Sequence, residues 1–212
     1  MPEILKLIYH FVVGYLMAFI GLMSPGLLTL TTLNTAIDRG TKETVKFAIG
    51  AALPIIIQAH LALLGAQYLK KHPEILTNFS KIAVFVFLGL SVLFYKQYKK
   101  RSLVIQPPKF HIKNSFLYGL FISSINPLAI PFYFTYSTLL EMQGWLSIRE
   151  PYISFFVLGA VLGVISILSL YGKHAPALLS RLQFVVKHFK LILSISMFAL
   201  SIISLLHALH LY

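Results

Sequence analysis

Six apolar stretches, each about as long as a bilayer is thick, constrain the fold of this chain more than any other feature. They cover residues 7–32, 45–69, 75–95, 116–140, 152–171 and 191–211. A helix needs about 20 apolar residues to cross the hydrocarbon core, and only 11% of the residues are charged. A water-soluble globular fold is excluded because it would leave too much apolar surface in water. We predict an all-α membrane protein with six transmembrane helices in a single membrane domain, residues 1–212.

The basic residues are distributed unequally between the two sides of the predicted membrane. Thirteen of the 18 Lys and Arg residues lie in or beside the first, third and fifth connections, and five lie on the other side. Cytoplasmic loops carry the excess of Lys and Arg, so both termini are predicted to lie outside the cytoplasm. The net charge of +12 is then a topology signal. We expect contact with the lipid bilayer and with no nucleic acid.

A central basic loop, residues 96–113, divides the chain into two halves of three spans each. It contains Gln106-Pro107-Pro108, the marked break in the sequence. The first repeat is predicted at about residues 1–100 and the second at about 114–212. Because three is an odd number, a second repeat homologous to the first would be inverted in the membrane. The predicted fold is therefore two inverted three-helix repeats.

Proline interrupts the first and the fourth apolar stretch at equivalent places, with Pro25 and Pro127 lying 102 residues apart. Proline removes a backbone donor and clashes with the preceding turn, so a kink or an unwound segment is predicted at each site. Paired interruptions of this kind indicate the binding site of a secondary transporter. Alternatively, Ser24 or Ser123 satisfies the freed backbone groups locally. The predicted substrate-binding residues are Ser24, Pro25, Gly26, Thr29, Asn126, Pro127 and Gln58.

The second stretch carries three unusual residues far from its ends, Pro54, Gln58 and His60. Gln58 and His60 are two positions apart and so point about 200° apart on a helix. Polar side chains within a membrane are functional candidates by default. His60 is the candidate for substrate binding or proton exchange, since an imidazole titrates near neutral pH; an interhelical hydrogen bond is the alternative. Gly159 and Gly163 form a GxxxG pair typical of close helix packing.

The residues that most enzymes need are missing from the predicted spans. All six acidic residues lie at or beyond the ends of the spans, and the chain has no cysteine. It also lacks an HExxH zinc motif and a phosphate-binding glycine loop. We therefore predict that the protein is not an enzyme and that it binds no cofactor and no metal.

Several short motifs, in order, resemble the LysE/RhtB family of bacterial amino-acid exporters. The matches are Gly21-x-x-Ser24-Pro25-Gly26, Asp38-Arg39-Gly40, Gly50, and Phe116-x-x-Gly119 followed by Asn126-Pro127. The resemblance covers essentially the whole chain. It implies a six-span secondary transporter of the bacterial inner membrane, which exports an amino acid or a related small solute by alternating access. A homo-oligomer is compatible with this resemblance.

The chain departs from this family where polar side chains are expected. Leu27-Leu28 replaces the usual Pro-Asn after Ser-Pro-Gly, and Leu128 replaces the usual Lys after Asn-Pro. No acidic residue lies between Ala51 and Ile57, where many members have one. Neither the substrate nor the coupling ion is therefore carried over. Export of a cation or another solute, and a membrane scaffold that transports nothing, remain the alternative hypotheses.

Overall fold

A computed structural model describes residues 2–23, 26–72, 112–126 and 128–178 of the chain. It also describes short helical pieces, namely residues 84–85, 88–89, 91–92, 95–96, 98–99, 191, 194–199, 201–202 and 205–206. These described residues form helices and no strand. The helices are α1 (Glu3–Gly21), α2 (Leu27–Arg39), α3 (Thr41–Lys71), α4 (Ser115–Ser124), α5 (Ala129–Met142) and α6 (Tyr152–Lys173).

Both predicted interruptions are present. The apolar stretch 7–32, predicted as one span, consists of α1 and the first part of α2, because α1 ends at Gly21 and α2 begins at Leu27. We call this interval the first break. The stretch 116–140 is likewise divided between α4 and α5, and the interval between Ser124 and Ala129 is the second break. Pro54, by contrast, lies inside α3 without ending it.

Three of the described helices, α1, α3 and α6, are long and apolar enough to cross a membrane. The pair α4 and α5 meets the same criteria when taken as one span, bent by 61°. These spans agree with the predicted first, second, fourth and fifth. The predicted spans 75–95 and 191–211 lie largely outside the described residues.

The chain divides into two compact units that do not follow the two predicted halves. One unit contains Met1–Gln67 and Gln106–Leu179, and the other contains Tyr68–Ile105 and Ser180–Tyr212. Each unit therefore combines segments from both halves. In the second unit, the Ser91 hydroxyl donates to the Ser194 carbonyl at 2.9 Å, and the Ser194 hydroxyl donates to the Ser91 carbonyl at 3.0 Å.

In the first unit, α1 and α6 pack so closely that their backbones touch. A Cβ atom on Gly14 would collide with the carbonyl oxygen of Phe156, and a Cβ on Gly159 would collide with that of Phe11. Gly163, one turn further along α6, also lies against the backbone of α1. Small residues allow this approach in membrane helices. The predicted packing role of the GxxxG pair is confirmed.

Helices α3 and α4 pack through the same arrangement. A Cβ on Gly50 would collide with the carbonyl oxygen of Phe116, and a Cβ on Gly119 with that of Phe47. All four helices thus use the sequence Phe-x-x-Gly, and each glycine lies against the phenylalanine carbonyl of its partner helix. Two of the motif positions singled out by the sequence, Gly50 and Gly119, are therefore places of helix contact.

We expect Gly159→Ala to destabilise the protein. Alanine would by itself favour a helix by roughly 0.5–1 kcal/mol, but here its methyl group meets backbone of α1, and overpacking costs about 1–3 kcal/mol. The thermal midpoint in detergent should fall. Gly89→Ala is the matched control, since a Cβ at Gly89 meets nothing within 4 Å. An unchanged midpoint for Gly159→Ala would contradict the close contact.

Candidate functional site

The first break leaves a backbone carbonyl at Leu22 that two side chains bind. The Thr29 hydroxyl of α2 donates to the Leu22 oxygen at 3.1 Å, and the Tyr171 hydroxyl of α6 donates to the same oxygen at 3.2 Å. Thr29 is buried, as expected of a predicted site residue. A carbonyl oxygen has two lone pairs, and these two donors occupy both.

Of the other residues predicted at the first break, the structure describes Gly26. Gly26 precedes α2 with an extended backbone, and no side chain of a described residue caps the N-terminus of that helix. The Gly26 carbonyl accepts the Leu30 N–H at 3.0 Å, which starts the α2 ladder. Ser24 and Pro25 lie outside the described residues.

The second break is bound by a side chain from a distant part of the sequence. The Gln58 Nε2 atom of α3 donates to the carbonyl oxygen of Ser123 at 3.0 Å. The Asn126 N–H also points to this oxygen, at 3.2 Å. The Asn126 side chain accepts the Leu128 N–H at 3.3 Å through Oδ1, so it closes the turn that leads into α5. Pro127 lies outside the described residues.

Two buried polar atoms at the second break have no hydrogen-bond partner among the described residues. They are the Oε1 atom of Gln58 and the hydroxyl of Ser123. Gln58 is 8% exposed and Ser123 is fully buried. Each unsatisfied buried polar group lowers the free energy of unfolding by about 1–3 kcal/mol, so these two atoms destabilise the fold. Local satisfaction of the break by the Ser123 hydroxyl, the alternative considered from the sequence, is not what the described residues show.

His60 points to a different neighbour from Gln58, as the helical spacing predicts. Its Nε2 atom lies 3.5 Å from Oε1 of Glu150, a residue directly before α6. The other carboxylate oxygen, Oε2, accepts the Ser154 hydroxyl at 2.8 Å, which orients the carboxylate. The sequence analysis missed this partner because Glu150 lies beyond the end of a span. The predicted alternation of spans, which puts the end of the second span and the start of the fifth on one side of the membrane, is the signal that could have found it.

Arg39, in the matched Asp-Arg-Gly motif, ties the α2–α3 turn to the segment that begins the second half. Its guanidinium donates to the carbonyls of Ile112 and Lys113 at 2.9 and 3.0 Å. It also donates to the Ser115 hydroxyl at 3.3 Å. The same group lies 5.6 Å from the centre of the Tyr118 ring. The planar fork of an arginine suits several acceptors at once.

A second set of contacts joins the start of α1 to the loop before α6. The Nε2 atom of His10 accepts the Ser147 N–H at 3.0 Å, and its Nδ1 atom lies 2.6 Å from the Lys6 carbonyl. Nε2 accepts a hydrogen bond here, so Nδ1 is the nitrogen that donates to the Lys6 carbonyl. The His10 ring stacks on Tyr152 at 4.6 Å, and Arg149 lies over the Tyr152 ring at 5.4 Å.

The three apolar helices of spanning length, together with the bent pair α4 and α5, indicate a multi-pass membrane protein. The model of the LysE type translocator family matches residues 19–211. The chain therefore belongs to the LysE type translocator family and is a membrane transporter of small solutes. The resemblance drawn from the sequence motifs is confirmed. No curated protein and no solved structure matches the chain.

We expect Arg39→Lys to weaken the link between the two halves. A lysine ammonium cannot reach the Ile112, Lys113 and Ser115 acceptors as a planar fork does, and the lost bonds cost about 1 kcal/mol. The thermal midpoint in detergent should fall by a few degrees. Lys42→Ala, which removes an exposed cation from the next turn, is the control. Equal midpoints for Arg39→Lys and the wild type would show that the link does not contribute to stability.

Proposed function

We propose that this translocator exports amino acids or related small solutes across the bacterial inner membrane by alternating access. The observation that carries the proposal is the pair of broken helices, each with a freed carbonyl bound by a side chain of a neighbouring helix. Non-helical backbone is tolerated at membrane depth where it is buried in protein or lines a cavity. Transporters use such segments to bind solutes.

The contacts between helices support a fold of two inverted three-helix repeats with six spans in a single membrane domain. The Phe-x-x-Gly contact of α1 with α6 has a counterpart in that of α4 with α3. A two-fold relation between the repeats exchanges α1 with α4, which belong to the first spans, and α3 with α6, which belong to the second spans. It therefore converts the α1–α6 contact into the α4–α3 contact. The reciprocal bonds of Ser91 and Ser194 are those expected on a two-fold axis, where residue i contacts j and j contacts i.

The proposed site lies at the two breaks. It comprises Ser24, Pro25, Gly26 and Thr29 at the first break, with Asn126, Pro127 and Gln58 at the second. Among the described residues no side chain binds the first turn of α2 or of α5, and these N-termini carry partial positive charge. A solute carboxylate would be stabilised there without a basic side chain. This compensates for the lysine that the family commonly has where this chain has Leu128.

We propose His60 as the proton-exchange group, with Glu150 as its partner. Both side chains are partly exposed, at 36% and 53%, and the proposal requires that water reaches them. With both termini outside the cytoplasm, as the distribution of Lys and Arg predicts, this pair would face the outer side, where an inward proton gradient would load it.

Efflux from proteoliposomes tests the function. We expect release of at least one of the common L-amino acids by the wild type, and its loss in Asn126→Ala, which removes the acceptor for the Leu128 N–H. Asn126→Ser is the control because a serine hydroxyl can accept that N–H without adding a negative charge beside the proposed carboxylate site. Wild-type efflux in Asn126→Ala would contradict the assigned site. No efflux of any amino acid would favour another solute, and no solute flux at all would favour a scaffold.

Proton coupling is tested by comparing solute export with and without an imposed pH gradient, inside alkaline. In the wild type the gradient should stimulate export. In His60→Gln and in Glu150→Gln the stimulation should largely disappear while solute counterflow, which needs no gradient, continues. Glu43→Gln removes an exposed acid that pairs with Lys46 and should behave as the wild type. Full stimulation in His60→Gln would exclude this residue from coupling.

A further inference from the structure

The two breaks are built alike but they differ in what they leave unsatisfied. We infer that the hydrogen bonds that select the solute are made at the second break, by Gln58 Oε1 and the Ser123 hydroxyl, and that the Tyr171 bond at the first break is structural. The inference rests on the proposed function, since it names the recognising atoms within the proposed site. It adds Ser123, which the sequence analysis did not assign to binding.

At each break the side chain that binds the freed carbonyl comes from the helix that packs through the Phe-x-x-Gly contact. Gln58 follows Phe47 of α3 by 11 residues, and Tyr171 follows Phe156 of α6 by 15 residues. The two positions differ by four residues, which is about one helical turn. Gln58 and Tyr171 therefore lie on the same face of their helices relative to the Phe-x-x-Gly contact, one turn apart, and their side chains can be compared.

The two breaks differ in the hydrogen-bonding capacity of the side chain that binds each one. A tyrosine hydroxyl has one proton to donate, and Tyr171 donates it to Leu22. A glutamine amide has both a donor and an acceptor end, and Gln58 uses its donor end on Ser123. Its acceptor, Oε1, stays buried without a partner among the described residues, as does the Ser123 hydroxyl.

These two atoms determine what kind of group fits. Oε1 accepts a hydrogen bond from an N–H or O–H group, and the Ser123 hydroxyl can donate one or accept one. Neither atom is charged, and the residues beside Gln58 in the core are apolar, among them Ile55, Ala59 and Ile122. The site therefore recognises a small solute through a hydrogen-bond donor. An apolar analogue of the same shape would leave both protein atoms unsatisfied and would be rejected.

Ser123→Ala is the sharpest test because the hydroxyl it removes bonds to no described residue. The probes are the twenty common L-amino acids, in counterflow into proteoliposomes, and the variant is assayed with the one that the wild type transports fastest. We expect the half-saturating concentration to rise on the order of fivefold, the value of one net hydrogen bond. The thermal midpoint without solute should stay the same or rise, because a buried unsatisfied group is lost.

Two further variants control for structural effects. Ser124→Ala makes the same change one residue along, where the hydroxyl is exposed and bonds to the Leu120 carbonyl of its own helix. Its half-saturating concentration should equal that of the wild type. Tyr171→Phe removes the bond to Leu22 at the first break. It should lower the thermal midpoint and leave half-saturation unchanged.

The outcomes separate the inference from the function on which it rests. An unchanged half-saturating concentration in Ser123→Ala, with active wild type, overturns the inference and leaves the proposed function standing. A rise of similar size in Tyr171→Phe would also overturn it, since the first break would then contribute equally to recognition. A wild type that transports none of the twenty probes contradicts the proposed amino-acid export, and the inference falls with it.

Discussion

The requirement that every backbone polar group find a partner inside the protein governs this structure. In hydrocarbon no water is available for a freed carbonyl, so a helix can be interrupted only where another part of the protein supplies hydrogen bonds. Both broken helices meet this requirement through side chains of a neighbouring helix, Tyr171 for Leu22 and Gln58 for Ser123. The two breaks are therefore stabilised by side chains that are distant from them in the sequence.

Close packing makes the bonds possible. A glutamine or a tyrosine reaches the backbone of another helix only if the two helices approach nearer than large side chains allow. The Phe-x-x-Gly contacts provide this approach, since each glycine lies directly against a partner carbonyl. Hydrophobic burial gives little drive for association between helices in lipid, so packing and interhelical hydrogen bonds have to supply it. The same contacts therefore hold the helices together and support the breaks.

The connections at the two ends of the helices are joined by polar contacts of different kinds. Arg39 uses several donors on carbonyls that precede α4, whereas His10 and His60 use single contacts with the segment before α6. A guanidinium stays charged under all ordinary conditions, while an imidazole changes its charge near neutral pH. The contacts at the two ends are therefore made by side chains of different acid–base character.

The sequence by itself determined the spans that the structure describes, the position of both breaks and the family. Hydropathy over about 20 residues and the presence of proline are local properties, so they can be recognised without knowledge of the fold. It also indicated Gln58 and His60, because polar side chains are rare within an apolar stretch.

Only the tertiary structure decided what these residues contact. Gln58 bonds to a carbonyl 65 residues away, and His60 meets an acid from beyond a span, which depends on which helices pack together. The sequence could not predict the unsatisfied hydroxyl of Ser123 either. A serine in a membrane helix ordinarily bonds to its own helix, as Ser124 does.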